Sequence, residues 1–146
     1  MGRIVAIDYG RKRVGLAVTD PGQIIASPLE TVPSGRIEEF LAEYLGREKV
    51  DAIVVGYPVQ MNNKPSEAVK YINPFIKRLK KILPGMPVYL ADERFTSAIG
   101  KQAIIDGGVK KKGRRDKSLV DRISASLILQ SFLENRNFLK TKQIKE

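Results

Sequence analysis

The residues of this chain that could do chemistry are carboxylates at the ends of apolar runs. Ile4-Val5-Ala6-Ile7 stops at Asp8, Val88-Tyr89-Leu90-Ala91 stops at Asp92 and Glu93, and Asp121 stands near the start of the last amphipathic stretch. A carboxylate beside a hydrophobic core is costly unless it is paired, hydrogen-bonded or bound to metal. The 146 residues include no Cys and no His, which excludes disulfides, thiolate zinc sites, Ser-His-Asp catalysis and histidine-ligated metals. Oxygen donors alone suit Mg²⁺ or Mn²⁺. Three converging acids would repel one another without cations between them. Two such ions roughly 3.5–4 Å apart activate a water and stabilise the leaving oxygen of a phosphodiester with no histidine needed. Each acid also has a plainer reading. Asp8 before Tyr9-Gly10 reads equally as a turn aspartate, Asp92 and Glu93 as surface partners of Arg94, and Asp121 as a helix cap.

Convergence depends on the elements that carry these acids. Residues 3–9 and 13–19 read as two strands joined at Gly10-Arg11-Lys12, where glycine offers a positive φ, and a weaker third strand is expected near 24–32. Between Arg36 and Lys49, Ile37, Phe40, Leu41, Tyr44 and Leu45 recur at helical spacing, and Asp51–Gly56 then reads as a buried parallel strand. A second helix is expected from about Asn62–Glu67 to Leu83, kinked or split at Pro74. Strand Pro87–Ala91, a helix over Thr96–Asp106, a basic loop over Gly107–Asp116 and a helix over Lys117–Glu134 follow. That last helix is expected to pack Val120, Ile123, Leu127 and Ile128 inward. The sum is an α/β fold: a five-stranded mixed sheet, three antiparallel strands plus two parallel, with helices on both faces. In such a sheet Asp8 and Glu93 open on one edge, where α/β folds hold ligands, and Asp121 joins them if the last helix starts there. One domain over 1–138 is expected, with a basic tail at 139–146 that frays.

Charge points to the partner. Lys and Arg number 26 against 16 Asp and Glu, a formal charge of +10, and a polyanion such as nucleic acid is the partner that this attracts. No apolar run approaches the roughly 20 residues that span a bilayer, and the N-terminus enters a strand without signal-peptide features, so a cytoplasmic protein is expected, with no membrane partner. The expected nucleic-acid footprint is Gly10, Arg11, Lys12 and Arg13 in the first hairpin, Arg94 beside Glu93, the run Lys110, Lys111, Lys112, Arg114 and Arg115, and Lys117. Gly10 and Gly15 would let a sugar-phosphate backbone approach closely.

Four motifs in order now carry a resemblance. Asp8-Tyr9-Gly10 with Arg13-Val14-Gly15-Leu16-Ala17-Val18, then Val54-Val55-Gly56-Tyr57-Pro58, then Asp92-Glu93-Arg94-Phe95-Thr96-Ser97, and finally Lys117 with Asp121 and Ile128-Leu129-Gln130, resemble the YqgF family over Ile4 to about Leu133. Members of that family are described as Holliday junction resolvases and as pre-16S rRNA nucleases. The resemblance implies an RNase H-like fold and makes Asp8, Glu93 and Asp121 the catalytic, metal-binding acids, with Mg²⁺ or Mn²⁺ as cofactor. Related resolvases carry a further aspartate one helical turn after the last acid, and here that place is Ser124. The expected function is a metal-dependent endonuclease maturing the 5′ end of 16S ribosomal RNA, as a monomer or homodimer. The alternatives are a resolvase of four-way DNA junctions and a non-catalytic RNA-binding module. A nucleotide binder of the actin or sugar-kinase type, suggested by Asp8-Tyr9-Gly10, would need two such domains, and this chain has room for one.

Overall fold

The computed structural model describes residues 2–57, 69–92 and 117–140. Strand β1 (Arg3–Tyr9) turns at Gly10–Lys12 into β2 (Arg13–Thr19), and β3 (Ala26–Pro33) returns alongside. A single 3₁₀ turn, Ser34–Arg36, leads into helix α1 (Ile37–Arg47), then β4 (Val50–Tyr57), helix α2 (Val69–Ile82), strand β5 (Val88–Asp92) and helix α3 (Lys117–Lys140). The sheet order is β3-β2-β1-β4-β5. Pairs β1/β2 and β2/β3 are antiparallel, and β1/β4 and β4/β5 parallel, which is the sheet that the sequence predicts.

Alternation along the strands sorts two unequal faces. Val5 and Ile7 of β1, Val14, Leu16 and Val18 of β2, and Ile53 and Val55 of β4 face α1 and α2, which bring Ile37, Leu41, Phe75 and Leu79. The opposite face carries smaller groups: Ala6, Ala17 and Ala52 with Ile4 and Val54, against Ala125, Ile128 and Leu129 of α3. Small side chains on both partners let α3 lie close to the sheet, across β2, β3 and β1.

Four expectations change. The buried face of α3 is Ala125, Ile128 and Leu129, whereas Val120, Ile123 and Leu127 are half-buried on its flanks. The helix also runs on to Lys140, past the expected start of a frayed tail. Its far end is held by Arg136, which donates to the Gln23 side-chain oxygen (2.5 Å) and carbonyl (3.2 Å). Third, of the kink or split expected at Pro74, the split does not occur: α2 runs on as one helix from Val69 to Ile82. The ring costs the one hydrogen bond to the Lys70 carbonyl, while Ile72, Phe75, Ile76 and Leu79 bury the helix on both sides of it. Glycine at the first hairpin does not supply a positive φ either: among the described residues that conformation falls on Gln23 (58°) and Gly85 (92°). The expected helix over Thr96–Asp106, the basic loop over Gly107–Asp116 and the start of the second helix lie outside the described residues.

Candidate active site

Asp8 lies one residue from the end of β1, on the face shared with Ile4 and Ala6, and pairs across the ladder with Gly15 of β2. Gly15 is fully enclosed, and what encloses it is α3. A methyl group at Gly15 would lie 2.5 Å from the Asp121 carbonyl carbon and 3.0 Å from the Asp121 Cβ, nearer than side chains tolerate. The second turn of α3, at Asp121, therefore rests on the bare backbone of Gly15, the residue paired with Asp8, and Asp121 is delivered beside Asp8. Periodicity explains why this turn comes down here: Asp121, Ala125, Ile128 and Phe132 follow one another at helical spacing, so the acid is the N-terminal member of the helix's sheet-facing stripe.

Arg13, two residues before Gly15 and on the same face, donates from Nε to the Asp121 Oδ2 at 2.8 Å. Both side chains keep partial access to water, at 37% and 24%, so the pair is worth up to about 1 kcal/mol and can exchange partners. Arg13 is expected to meet nucleic acid; in this structure its guanidinium is paired with the acid. Gly15 likewise does not present open backbone to a ligand, because Asp121 fills that space. Gly10 is closed by its own hairpin: its N–H bonds the Arg13 carbonyl at 2.9 Å, and a Cβ there would stand 2.5 Å from that oxygen. Arg11 and Lys12 remain exposed at the turn, whose carbonyls accept from the Ser34 hydroxyl (2.8 Å) and amide (3.0 Å).

Parallel pairing carries β4 and β5 to the same edge, with Tyr57 opposite Asp92. Glu93, Arg94, Lys110, Lys111, Lys112, Arg114 and Arg115 lie outside the described residues, and of Lys117 only its place at the start of α3 is described. Among the described residues, no three acids gather into a metal site. The two that are placed, Asp8 and Asp121, are oxygen donors at one sheet edge, and a guanidinium already sits on Asp121, so the donor set suits a hard cation. Sequence reasoning missed Gly15 as the seat of the helix and Arg13 as the partner of Asp121. The legible signal was a glycine in strand alternation with Arg13 and Ala17, opposite the carboxylate.

A mixed sheet in the order 3-2-1-4-5, with a helix seated across it and acids at the C-terminal edge of β1, is the RNase H-like architecture. Thermus thermophilus RuvC in complex with Holliday junction substrate shares this fold, with a TM-score of 0.58 at 20% identity over 99% of both chains. A second Thermus thermophilus RuvC structure gives 0.52 at 21% identity, over 90% of this chain and 95% of that one. Residues 2–135 match the family model described as "RuvX: Holliday junction resolvase", and the chain belongs to this RuvX, or YqgF, family. A Parabacteroides distasonis protein named "Putative pre-16S rRNA nuclease" is 54% identical over 94% of this chain and 99% of its own. A Flavobacterium johnsoniae protein of the same name is 48% identical over 94% and 100%.

Proposed function

We propose that this protein is a divalent-metal-dependent endonuclease of structured nucleic acid that processes the 5′ end of pre-16S ribosomal RNA. The observation that carries the reading is Asp121 seated on Gly15 beside Asp8; the substrate is taken from relatives more than half identical that bear the rRNA nuclease name. Asp8, Asp121 and Glu93 would hold Mg²⁺ or Mn²⁺. Such an ion, when bound, supplies an acidified water and neutralises charge developing on the phosphate. The chain's own residues do the positioning. Pairing with Gly15 of β2, directly after Ile7, which is laddered to both β2 and β4, fixes Asp8 at the end of the interior strand β1. Arg13 holds one oxygen of Asp121 and leaves the other for an ion. Arg11, Lys12, Arg94, the run Lys110–Arg115 and Lys117 supply positive charge to grip phosphates on either side of the cut.

Resolution of four-way DNA junctions is the second reading, favoured by the family description, and it requires two coordinated cuts by a homodimer, whereas trimming RNA works with a monomer. Among the described residues no helix is long and apolar enough to cross a membrane, and a cytoplasmic site of action goes with the rRNA substrate. The deciding experiment gives the purified protein matched pre-16S leader RNA and four-way DNA junctions with Mg²⁺ or Mn²⁺, beside the Asp8→Asn variant. Cutting of the leader RNA by the wild type alone is expected. Paired symmetric nicks in the junction with intact RNA would replace this reading by the resolvase, and binding without cutting of either would leave an RNA-binding module.

A further inference from the structure

On the face of the sheet away from α3, helix α2 carries Lys70, Lys77, Arg78, Lys80 and Lys81 and not one acidic residue between 69 and 82. All five are exposed. The helix does not need them to pack, because Val69, Ile72, Phe75, Ile76 and Leu79 form its buried stripe. Three of them are left without a neutralising neighbour among the described residues. Arg78 pairs with Glu38 at 2.7 Å, but among the described residues no carboxylate pairs with Lys77, Lys80 or Lys81. Helix α1, which covers the same sheet face, has the opposite balance, with Glu38, Glu39 and Glu43 against Arg47. Among the described residues, the two helices of this face therefore differ in charge, and the positive excess lies on the ridge of α2.

The ridge begins at the edge where Asp8 lies. Tyr57, the last residue of β4, donates its hydroxyl to Asn73 at 2.9 Å, which ties the first half of α2 to that edge. Tyr9, the neighbour of Asp8, turns to the other face, where its ring stacks on Phe75 with centroids 4.3 Å apart and its hydroxyl accepts from Arg78 at 3.4 Å. From Lys70 the cations run away from the edge for about 16 Å, at 1.5 Å per residue.

We infer that the exposed face of α2 is a second phosphate-binding surface, which takes the single-stranded stretch of the nucleic acid after it passes from the acids over the sheet edge at Tyr9. The inference rests on the nuclease reading only for its choice of partner. Each lysine that neutralises a phosphate of a single strand releases about 0.7 of a counterion, so three of them set a salt dependence that can be measured.

The test measures binding of an unstructured, fluorescein-labelled RNA 24-mer in EDTA at several salt concentrations, so that cleavage plays no part. Wild type, Lys77→Ala/Lys80→Ala/Lys81→Ala and the corresponding triple glutamate variant are compared, with thermal melts to establish folding. The alanine variant should bind at least tenfold more weakly at low salt. Its slope of log affinity against log salt should be shallower by about 2. The glutamate variant should weaken further, with melts unchanged. An unchanged affinity and slope in the folded variants would overturn the inference. So would a loss confined to vesicles of phosphatidylserine and phosphatidylcholine with RNA binding intact, since that would make the ridge a lipid surface. If the wild type cut no substrate yet the slopes differed as expected, the nuclease reading would fail and this one would stand.

Discussion

Gly15→Ala tests the geometry of the site through a single methyl group. In a strand, exchanging glycine for alanine ordinarily stabilises by about 0.4–1 kcal/mol, because the unfolded chain loses freedom. Here the added carbon would meet the Asp121 carbonyl carbon at 2.5 Å, where ordinary contact begins at 3.4 Å, so α3 must retreat from the sheet by roughly 1 Å. The obstacle is backbone on both sides and no rotamer can relieve it. Overpacking of this kind costs about 1–3 kcal/mol, which reverses the usual sign. The retreat moves Asp121 from Asp8 by a similar distance, and a misplacement of about 1 Å lowers catalysis by about a hundredfold. Single-turnover cleavage of the leader RNA at saturating protein, with chemical denaturation alongside, measures both effects. Gly46→Ala is the control: Gly46 lies in α1 with nothing within 4 Å of the added carbon, and there alanine should stabilise by about 0.5–1 kcal/mol. If Gly15→Ala cleaved within threefold of wild type at undiminished stability, α3 would not be seated as described and the juxtaposition of Asp8 with Asp121 would lose its support.

Asp8→Asn, Glu93→Gln and Asp121→Asn each remove a charged oxygen donor without changing shape, and each should abolish cleavage while RNA binding in EDTA persists; full activity in any one removes that residue from the site. Arg13→Ala should leave stability within about 1 kcal/mol but slow cleavage tenfold or more, because Asp121 loses the group that orients it. Arg13→Lys should recover only part of the rate, since an ammonium keeps the charge and not the planar fork, and equal rates for all three proteins would show that the pair is idle. Asp20 accepts from the amides of Ile25, Ile24 and Gly22, and these bonds, Ile25 first, hold its pKa below the ordinary carboxylate value. With a folded value lowered, its stabilisation is present above the unfolded pKa and lost as pH falls through the folded one. The stability gap between wild type and Asp20→Ala should therefore close between neutral and strongly acid solution, and a gap that persists in acid would assign the turn to something other than the ionised carboxylate.

The sheet was legible because its strands are written in side-chain alternation and its parallel strand in an unbroken apolar run, Ala52 to Val55, buried on both faces. The edge on which Asp8 opens followed from strand direction alone. What stayed hidden was the contact between elements distant in sequence. Arg13 and Asp121 lie 108 residues apart, and one-dimensional patterning gives each a separate role, phosphate grip for the arginine and helix cap or metal ligand for the acid. The inward stripe of α3 was misjudged for a related reason. Val120, Ile123 and Leu127 are apolar at helical spacing like Ile128 and Leu129, but the sheet opposite is lined with alanine and glycine, so the close contact centres on small Ala125, with Ile128 and Leu129 beside it. Likewise the length of α3 depends on Arg136 reaching Gln23, a partner 113 residues away that no local propensity encodes.

The unequal faces of the sheet account for the cost of a carboxylate at Asp8. Bulky Val5, Ile7, Leu16 and Phe75 on the α1 and α2 side make the core that stabilises the fold, and that side can keep its helices at ordinary spacing. On the other side Ala6, Gly15 and Ala17 bring α3 near enough that its second turn, at Asp121, reaches the edge beside Asp8. Asp121 and Arg13 then place a carboxylate and a guanidinium cation 2.8 Å apart at that edge, partly open to water. The arrangement is stable enough to be preorganised, yet each charge keeps a solvent path by which an ion or a phosphate can replace its present partner.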